Sequence, residues 1–181
     1  MSAGRCALLL RAVNVSGANR VPMAELRALL NERAAFGVVT TYIASGNVIC
    51  DAPADPAAAC AEVRSLIHDA FAVDTPVILR THDDLVRAVD ENPFPDAAED
   101  KMLHAMFLEG EPAGDAVEAL TGRLQPGERI ALRGRDLWID FGAGGVHSSK
   151  LTRPVLDRAL GVAGTARNLR TVRKLVELTA G

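Results

Sequence analysis

The stretch RCALLLRAVNVSGANRVPMAELRALL, residues 5–30, joins an apolar run to a helical pattern through a polar loop. Residues 5–13 are apolar enough to form a buried strand. After Pro22, a residue type favoured in the first turn of a helix, apolar residues recur at helical spacing. The stretch therefore predicts a strand, a polar loop at residues 11–20 and a helix.

Further elements follow in the first half of the chain. Apolar segments 38–44 and 48–51 flank Ser45-Gly46-Asn47, and Gly followed by Asn favours a tight hairpin whose first central residue has a positive φ. Asp55-Pro56 predicts the cap and first turn of a helix with one apolar face. With a strand at 76–80, the predicted element order is βαββαβ.

The second half repeats a similar order of elements without repeating the residues. Thr81 and Asp84 predict the capped start of a short helix. A strand at 103–109 and a hairpin turning near Gly134 follow, and Gly161 predicts a helix stop. The other predicted elements are helices at 112–120, 152–160 and 168–179, with Thr152 as a cap and a loop at 161–167.

This element order predicts an α+β protein of two ferredoxin-like, split βαβ halves packed together. A proline-containing acidic segment, from Asn92 to Asp100, separates the two patterns. We therefore predict an N-terminal half at residues 1–92 and a C-terminal half, ending in two helices, at residues 100–181.

The composition is that of an ordinary globular protein. The 181 residues are 49% hydrophobic and 24% charged, which excludes intrinsic disorder. Three cysteines without CxxC spacing disfavour disulfides and zinc sites and predict a reducing compartment. Without a cleavable leader or an apolar stretch of membrane-spanning length, the sequence predicts a cytoplasmic protein that needs no metal, cofactor or membrane.

The net charge of -3 conceals an uneven distribution. Residues 150–181 contain seven basic and two acidic residues, a formal charge of +5, so the remaining chain carries -8. An acidic body repels polyanions, whereas a local basic surface can hold a small anion. A nucleic-acid partner is further disfavoured because only 4% of residues are aromatic and could stack on bases.

Six motifs along the chain together resemble the DUF1697 family of bacterial proteins of unknown function. They follow the order of the family over nearly the whole chain. The resemblance implies a two-part α+β protein and implies no established activity. The motifs are LLLRAVNVSGANRVPMAELRALL (8–30), TYIASGNVI (41–49), ENPFP (91–95), LHAMFLE (103–109), SSKLT (148–152) and TARNLRTVRKL (165–175).

The chain departs from the family pattern at two motifs. Where relatives have glycine, a side chain hinders the close approach of a ligand to the backbone, and leucine lacks the flat ring on which a ligand could stack. The departures are Ala12 and Ser16 for glycine and Ala18 for lysine in the pattern LRGINVGGKN at 10–19, and Leu169 for tryptophan and Arg170 for asparagine in the pattern TMRNWNTVTKL at 165–175.

The first loop offers the chemistry of an anion site. Arg11 provides a planar fork of donors, Asn14 and Asn19 can fix orientation, and backbone amides around Gly17 can point into a concavity. Such a loop suits a phosphate or carboxylate. The alternative is that both asparagines only stabilise their own turn and that Arg11 pairs with a carboxylate.

A basic stripe is predicted near the C-terminus. On a helix, Arg167, Arg170, Thr171 and Lys174 fall at i, i+3, i+4 and i+7, on one face. Like charges at this spacing repel unless an anion answers them. The alternative is an interdomain salt-bridge seam, because acidic residues cluster in 51–100.

Two further residues are candidates for chemistry. Lys150 follows a glycine-rich segment, but its order differs from the phosphate-binding GxxxxGK[ST] pattern, so only a candidate cation remains. His104 lies in a predicted strand, where it is either structural or a proton-transfer group. No nucleophile elbow, HExxH or SxxK motif is present.

From the sequence we expect the protein to bind a small phosphorylated or anionic ligand at a cationic polar site between the halves. Two alternatives stay open. One is a small enzyme acting on such a ligand, with His104 or Lys150 in proton transfer. The other is an interaction module whose basic C-terminal helix docks an acidic or nucleic-acid partner. The predicted ligand-binding residues are Arg11, Asn14, Asn19, Ser45, Asn47, Lys150, Arg167, Asn168, Thr171 and Lys174.

Overall fold

The computed structural model describes residues 4–181 and shows an α+β protein with two four-stranded antiparallel sheets, each with flanking helices. The strands are β1 (Arg5–Leu10), β2 (Thr40–Tyr42), β3 (Asn47–Asp51), β4 (Val77–Thr81), β5 (Leu103–Leu108), β6 (Arg129–Arg133), β7 (Asp136–Asp140) and β8 (Gly164–Asn168). The helices are α1 (Met23–Asn31), α2 (Pro56–Phe71), α3 (His82–Asp90), α4 (Ala116–Thr121), α5 (Arg153–Leu160) and α6 (Leu169–Thr179).

The backbone divides into two compact units. The first unit comprises the chain up to Leu85 together with Leu175–Gly181, and the second unit is Val86–Lys174. The predicted boundary between Asn92 and Asp100 stays a prediction. Within residues 4–181, no helix has the length and apolar character needed to cross a membrane.

In the first unit the sheet order is β2-β3-β1-β4. The apolar strand β1 is central because it has hydrogen-bonding partners on both edges: Leu8 pairs with Val48 of β3 and with Leu79 of β4. Leu8 and Leu10 belong to a core in which the buried faces of α1 and α2 also take part. Truncating one such leucine to alanine costs about 2–5 kcal/mol.

The second unit has the corresponding sheet order, β6-β7-β5-β8, with β5 in the centre. Met106 pairs with Leu137 of β7 and with Ala166 of β8. Met106 and Leu137 belong to the core of this unit, to which α4 and α5 contribute Leu120 and Leu156.

Strand β8 corrects the predicted loop at 161–167. Gly164–Asn168 pairs with β5 and alternates in exposure, with Thr165 and Arg167 buried and Ala166 exposed. The segment was missed because its inward side chains are polar rather than apolar. Since α6 begins only at Leu169, Arg167 lies on a strand, and the predicted helical stripe starting at Arg167 is wrong.

Several predicted local features are confirmed. Thr81 and Asp84 form a reciprocal capping box, and the Asp55 side chain caps α2. Gly161 ends α5 in a left-handed conformation. Two expectations are wrong: α4 is shorter than predicted, and Thr152 makes no side-chain cap at α5.

Candidate functional site

The loop that follows β1 contains five residues with left-handed backbone conformations, with φ angles between 50° and 76°. Only one is a glycine, and a residue with a side chain loses about 1–2 kcal/mol in this region. Such strain persists only when surrounding contacts hold it, and it concentrates at functional sites. The five residues are Ala12, Asn14, Ser16, Gly17 and Asn19.

Asn14 is the residue that holds this loop in place. Its Nδ2 donates to the carbonyl oxygens of Val21 at 2.9 Å and Ala44 at 2.7 Å, and its Oδ1 accepts from the Val21 amide at 2.9 Å. The two bonds to Val21 close the loop at its C-terminal end, and the bond to Ala44 ties the loop to the β2–β3 hairpin. The geometry makes Asn14 a positioning residue.

Three more hydrogen bonds fix the start and the turn of the loop. Thr75, buried before β4, accepts from the Arg11 amide at 3.1 Å and donates to the Arg11 carbonyl at 2.6 Å. Asn19 Nδ2 donates to the Ala12 carbonyl at 3.1 Å. No sequence pattern pointed to Thr75, because a single threonine before a strand has many roles.

The β2–β3 hairpin lies next to this loop. Asn47 is buried and its Nδ2 donates to the Tyr42 carbonyl at 3.0 Å and to Ser45 Oγ at 3.3 Å, so Asn47 and Ser45 hold the turn. Gly46 has the positive φ that was predicted, 91°. Ile43 also has a positive φ of 51°, an unfavourable backbone angle for a β-branched residue, and its apolar side chain is 48% exposed to water.

A shallow cavity of about 430 Å³ lies between this loop, the hairpin and the start of α1. Pro22 precedes α1 and provides no side-chain cap, so the first amides of the helix have no capping side chain. Arg20 lines the cavity, is exposed, and has no side-chain partner among residues 4–181. The other lining residues are Asn14, Val21, Pro22, Met23, Thr41, Ile43 and Ala44.

Arg20 is the site residue that sequence reasoning missed. It ends the same polar loop as Arg11, and this position next to an uncapped helix start was the available signal. The positive end of the helix dipole and the Arg20 guanidinium give the cavity a favourable potential for an anion. Glu25, exposed in the first turn of α1, is the acidic residue of that turn.

Three predicted site residues lie together in the second unit. Arg167 is 7% exposed and donates to Thr165 Oγ1 at 2.7 Å and to the Ala166 carbonyl at 2.9 Å. Burial lowers the pKa of Arg167 to about 10, because the charged form is poorly solvated. Asn168 Oδ1 accepts from the Thr171 amide at 2.9 Å and so caps α6.

The exposed face of α6 carries Arg170 and Arg173, and Lys174 is half-buried. Arg173 pairs with Asp100 within the second unit. This pair joins a basic residue of α6 to the acidic segment before β5. Because both residues belong to the second unit, the pair is not an interdomain one, and the interdomain seam stays a prediction.

Lys150 and His104 belong to the second unit. Lys150 is exposed, while the neighbouring Ser148 Oγ donates to the Gly144 carbonyl at 2.5 Å and supports its own turn. His104 Nε2 donates to the Lys101 carbonyl at 3.0 Å, and its ring packs edge-on against Phe141 at 5.0 Å. Burial lowers the pKa of His104 below its ordinary value.

The cysteines do not form a metal centre. Cys6 and Cys50 are buried partners on β1 and β3, with their sulfur atoms 3.6 Å apart, and Cys60 is half-buried. In the part of the chain that the structure describes, no group of three or more His, Cys, Asp or Glu side chains could hold a metal ion.

The structure thus brings Asn14, Asn19, Ser45 and Asn47 together around one end of the first sheet and adds Arg20. It brings Arg167, Asn168 and Thr171 together in the second unit. That all ten predicted residues line one surface stays a prediction.

Fold and site define a two-unit α+β protein with a strained polar loop after its first strand. A comparison with protein families matches residues 4–138 to DUF1697, described as a protein of unknown function, and the chain belongs to this family. A comparison with curated proteins finds no match.

Among solved structures, the chain is similar to the conserved bacterial protein SP0830 from Streptococcus pneumoniae. The two share 22% sequence identity with a TM-score of 0.73, and the alignment covers 97% of this chain and 98% of that protein. At this identity the likeness extends to the fold alone.

Proposed function

We propose that the protein binds a small phosphorylated or otherwise anionic ligand in the cavity beside the loop of residues 11–20. The observation that carries the proposal is the convergence on that cavity of Arg20, an uncapped helix start and two left-handed residues, Asn14 and Ile43. Arg20 and the uncapped helix start each favour an anion, the first through its charge and the second through its free amides and helix dipole.

Arg20 supplies the charge. Its guanidinium has a planar set of donors that matches two oxygens of a phosphate or carboxylate. The first amides of α1 can donate to the same group, because no side chain of Pro22 accepts from them. Asn14, with a left-handed φ of 55°, lines the same cavity and holds the loop beside it.

The apolar wall narrows the class of ligand. Val21, Met23 and Ile43 line the cavity, and Ile43 is held exposed in a strained conformation. These apolar side chains offer water no hydrogen bonds, whereas an apolar or planar group of a ligand would remove their surface from water. An apolar or planar body attached to the anion would therefore add to the binding of the anion itself.

We further infer that each unit is a ferredoxin-like, split βαβ sandwich. The element order βαββαβ and the sheet orders β2-β3-β1-β4 and β6-β7-β5-β8 support it. In such an arrangement the β1–α1, β2–β3 and α2–β4 connections share one end of the sheet. The bonds of Asn14 to Ala44 and of Arg11 to Thr75 agree with this.

The alternatives inferred from the sequence are kept as proposals for the second unit. Arg167, Lys150 and Lys174 remain candidates for a wider anion site, and the α6 face for an interaction surface. An enzymatic role for His104 draws no support from its bond to a backbone carbonyl. The three free cysteines keep a reducing, cytoplasmic compartment as the proposed location.

The experiment compares thermal unfolding of three proteins with and without millimolar phosphate: wild type, Arg20→Met and Arg27→Met. Arg27 is exposed on α1, outside the cavity, so it matches the charge change. A bound anion at ten times its Kd stabilises by about 1.4 kcal/mol. We expect wild type and Arg27→Met to gain stability and Arg20→Met to lose most of the gain.

A general salt effect would stabilise all three proteins equally. Equal gains in wild type and Arg20→Met, or no gain in wild type, would count against the proposed site.

A further inference from the structure

The second unit contains a second concavity, unrelated to the loop site. It is a groove of about 350 Å³ between α4 and α5. The amide of Ala113 donates to the Leu160 carbonyl at 2.9 Å and so holds the segment before α4 against the end of α5. The groove is lined by apolar side chains from both helices, among them Ala119, Leu120, Val155 and Ala159.

The groove has an apolar floor. Leu120 is fully buried beneath it, and Val155 and Ala159 are half-buried on the α5 side. Ala119, in contrast, is exposed on a helix whose other side packs into the core. Small side chains on both helices thus leave an apolar trough where larger ones would have closed the helix pair.

Two arginines line this groove. Arg123 follows α4, and Arg158 lies in the last turn of α5; both are exposed and both line the groove. Neither has a hydrogen-bonding or ionic side-chain partner among the described residues, and the same holds for Asp115, the one carboxylate of the lining. The trough therefore combines an apolar floor with an excess of one positive charge.

We propose that this groove binds an amphipathic monoanion, an acyl carboxylate whose chain lies over Leu120 and whose carboxylate is held by an arginine. The volume falls within the range of small-molecule sites, about 300–1,000 Å³, and the lining combines six apolar residues with three charged ones. The charge excess selects an anion over an alcohol or an amine. The site does not depend on the cavity beside Arg20.

The probe is octanoate, with 1-octanol as the uncharged control. In two-dimensional amide NMR of the full chain, we expect saturable shifts that cluster at residues 113–123 and 154–159. A charge-assisted hydrogen bond to an arginine is worth about 1.5–3 kcal/mol, which is about ten- to a hundredfold in affinity. The double variant Arg123→Ala/Arg158→Ala should weaken octanoate binding at least tenfold.

The matched control is Arg133→Ala/Arg153→Ala, which removes the same charge from exposed positions of the same unit outside the groove. It should change the affinity less than twofold. Ala119→Leu, at an exposed helical position, should fill the trough and reduce binding of octanoate and of octanol alike. Octanol binding as tightly as octanoate, equal losses in both double variants, or shifts centred outside the groove would overturn the proposal.

Discussion

In the first unit residues 11–22 connect β1 to α1, whereas in the second unit residues 109–115 connect the corresponding β5 to α4. The six non-glycine residues with positive φ in the described chain all belong to the first unit, and five of them lie in this connection or in the β2–β3 hairpin. In the described residues of the second unit, only glycines adopt such angles. The first unit thus carries the backbone strain of the molecule.

The framework beneath the two connections is the same. The Leu10 amide donates to the Gly46 carbonyl, and the Leu108 amide to the Arg135 carbonyl, both at 2.9 Å. The next residues along, Arg11 and Glu109, donate to groups just before β4 and β8. These hydrogen bonds are equivalent in the two units, so the longer loop is a feature of the first unit alone. We therefore place the function at this loop.

The largest predicted effect comes from Gly46→Ala. At a φ of 91°, a Cβ would lie 2.7 Å from Leu10 Cβ and from Val13 Cγ2. Backbone strain and overpacking together should cost about 3–5 kcal/mol of unfolding free energy. Gly134→Ala, in the corresponding hairpin of the second unit, meets open space at a φ of 57° and should cost about 1–2 kcal/mol. Urea denaturation measures both, and equal costs would contradict the comparison.

Asn14→Ala is expected to cost about 2–4 kcal/mol, because three hydrogen bonds of about 0.5–1.5 kcal/mol each are lost. Asn19→Ala is the matched control. Asn19 has nearly the same φ as Asn14 but only one side-chain hydrogen bond within the described chain, to Ala12. Its replacement should therefore cost about 1 kcal/mol of unfolding free energy beyond the cost of placing alanine at that φ. Chemical denaturation curves that place both variants at the same midpoint would show that Asn14 does not hold the loop.

Ala12→Gly and Ser16→Gly should each stabilise the protein by about 0.5–1 kcal/mol. Removing the side chain relieves left-handed strain of about 1–2 kcal/mol, and the added freedom of the unfolded chain returns about 0.5–1 kcal/mol. Ala113→Gly, in the corresponding connection of the second unit, should have the opposite sign. The same sign in both connections, measured by calorimetry, would remove the distinction between them.

The smallest effect is on the pH dependence of stability. Burial lowers the pKa of His104 in the folded protein, so below its ordinary value of 6.5 the unfolded chain binds a proton that the folded protein does not. Stability should therefore fall as pH falls from about 6.5 to the lowered pKa. His104→Gln should remove this part of the slope, and His147→Gln, at an exposed position, should leave it unchanged. Unfolding curves between pH 4 and 7, a range that brackets the ordinary histidine pKa of about 6.5, measure how the free energy of unfolding of wild type and of each variant depends on pH.

Sequence reasoning found the elements whose chemistry is local. The apolar run of β1, the Thr81–Asp84 box and the positive φ at Gly46 were readable because each depends on residues close in sequence. Strand β8 was not readable, because its inward residues Thr165 and Arg167 are polar and only pairing with β5 makes them a strand. Tertiary pairing there overrides the residue pattern.

The same limit applied to the candidate site. Asn14, Asn19, Ser45 and Asn47 were singled out as polar residues in excess of what turns require, yet their side chains hold loop and hairpin backbone. Arg20 was passed over because its position before the helix start is a weak signal, and its lack of a side-chain partner among the described residues shows only in the structure. A left-handed Ile43 could not be foreseen, because β-branched residues avoid that conformation.

The bonds of Asn14 also bear on how the protein meets a protease. Trypsin cuts after arginine where the chain can be drawn into its cleft, and exposed loop tips are the usual place. Residues 15–20 are exposed, but Val21, on the far side of the Arg20 peptide bond, is tied by both its amide and its carbonyl to Asn14. Limited digestion should therefore spare this bond in the folded chain, since exposure alone does not free a backbone for cleavage.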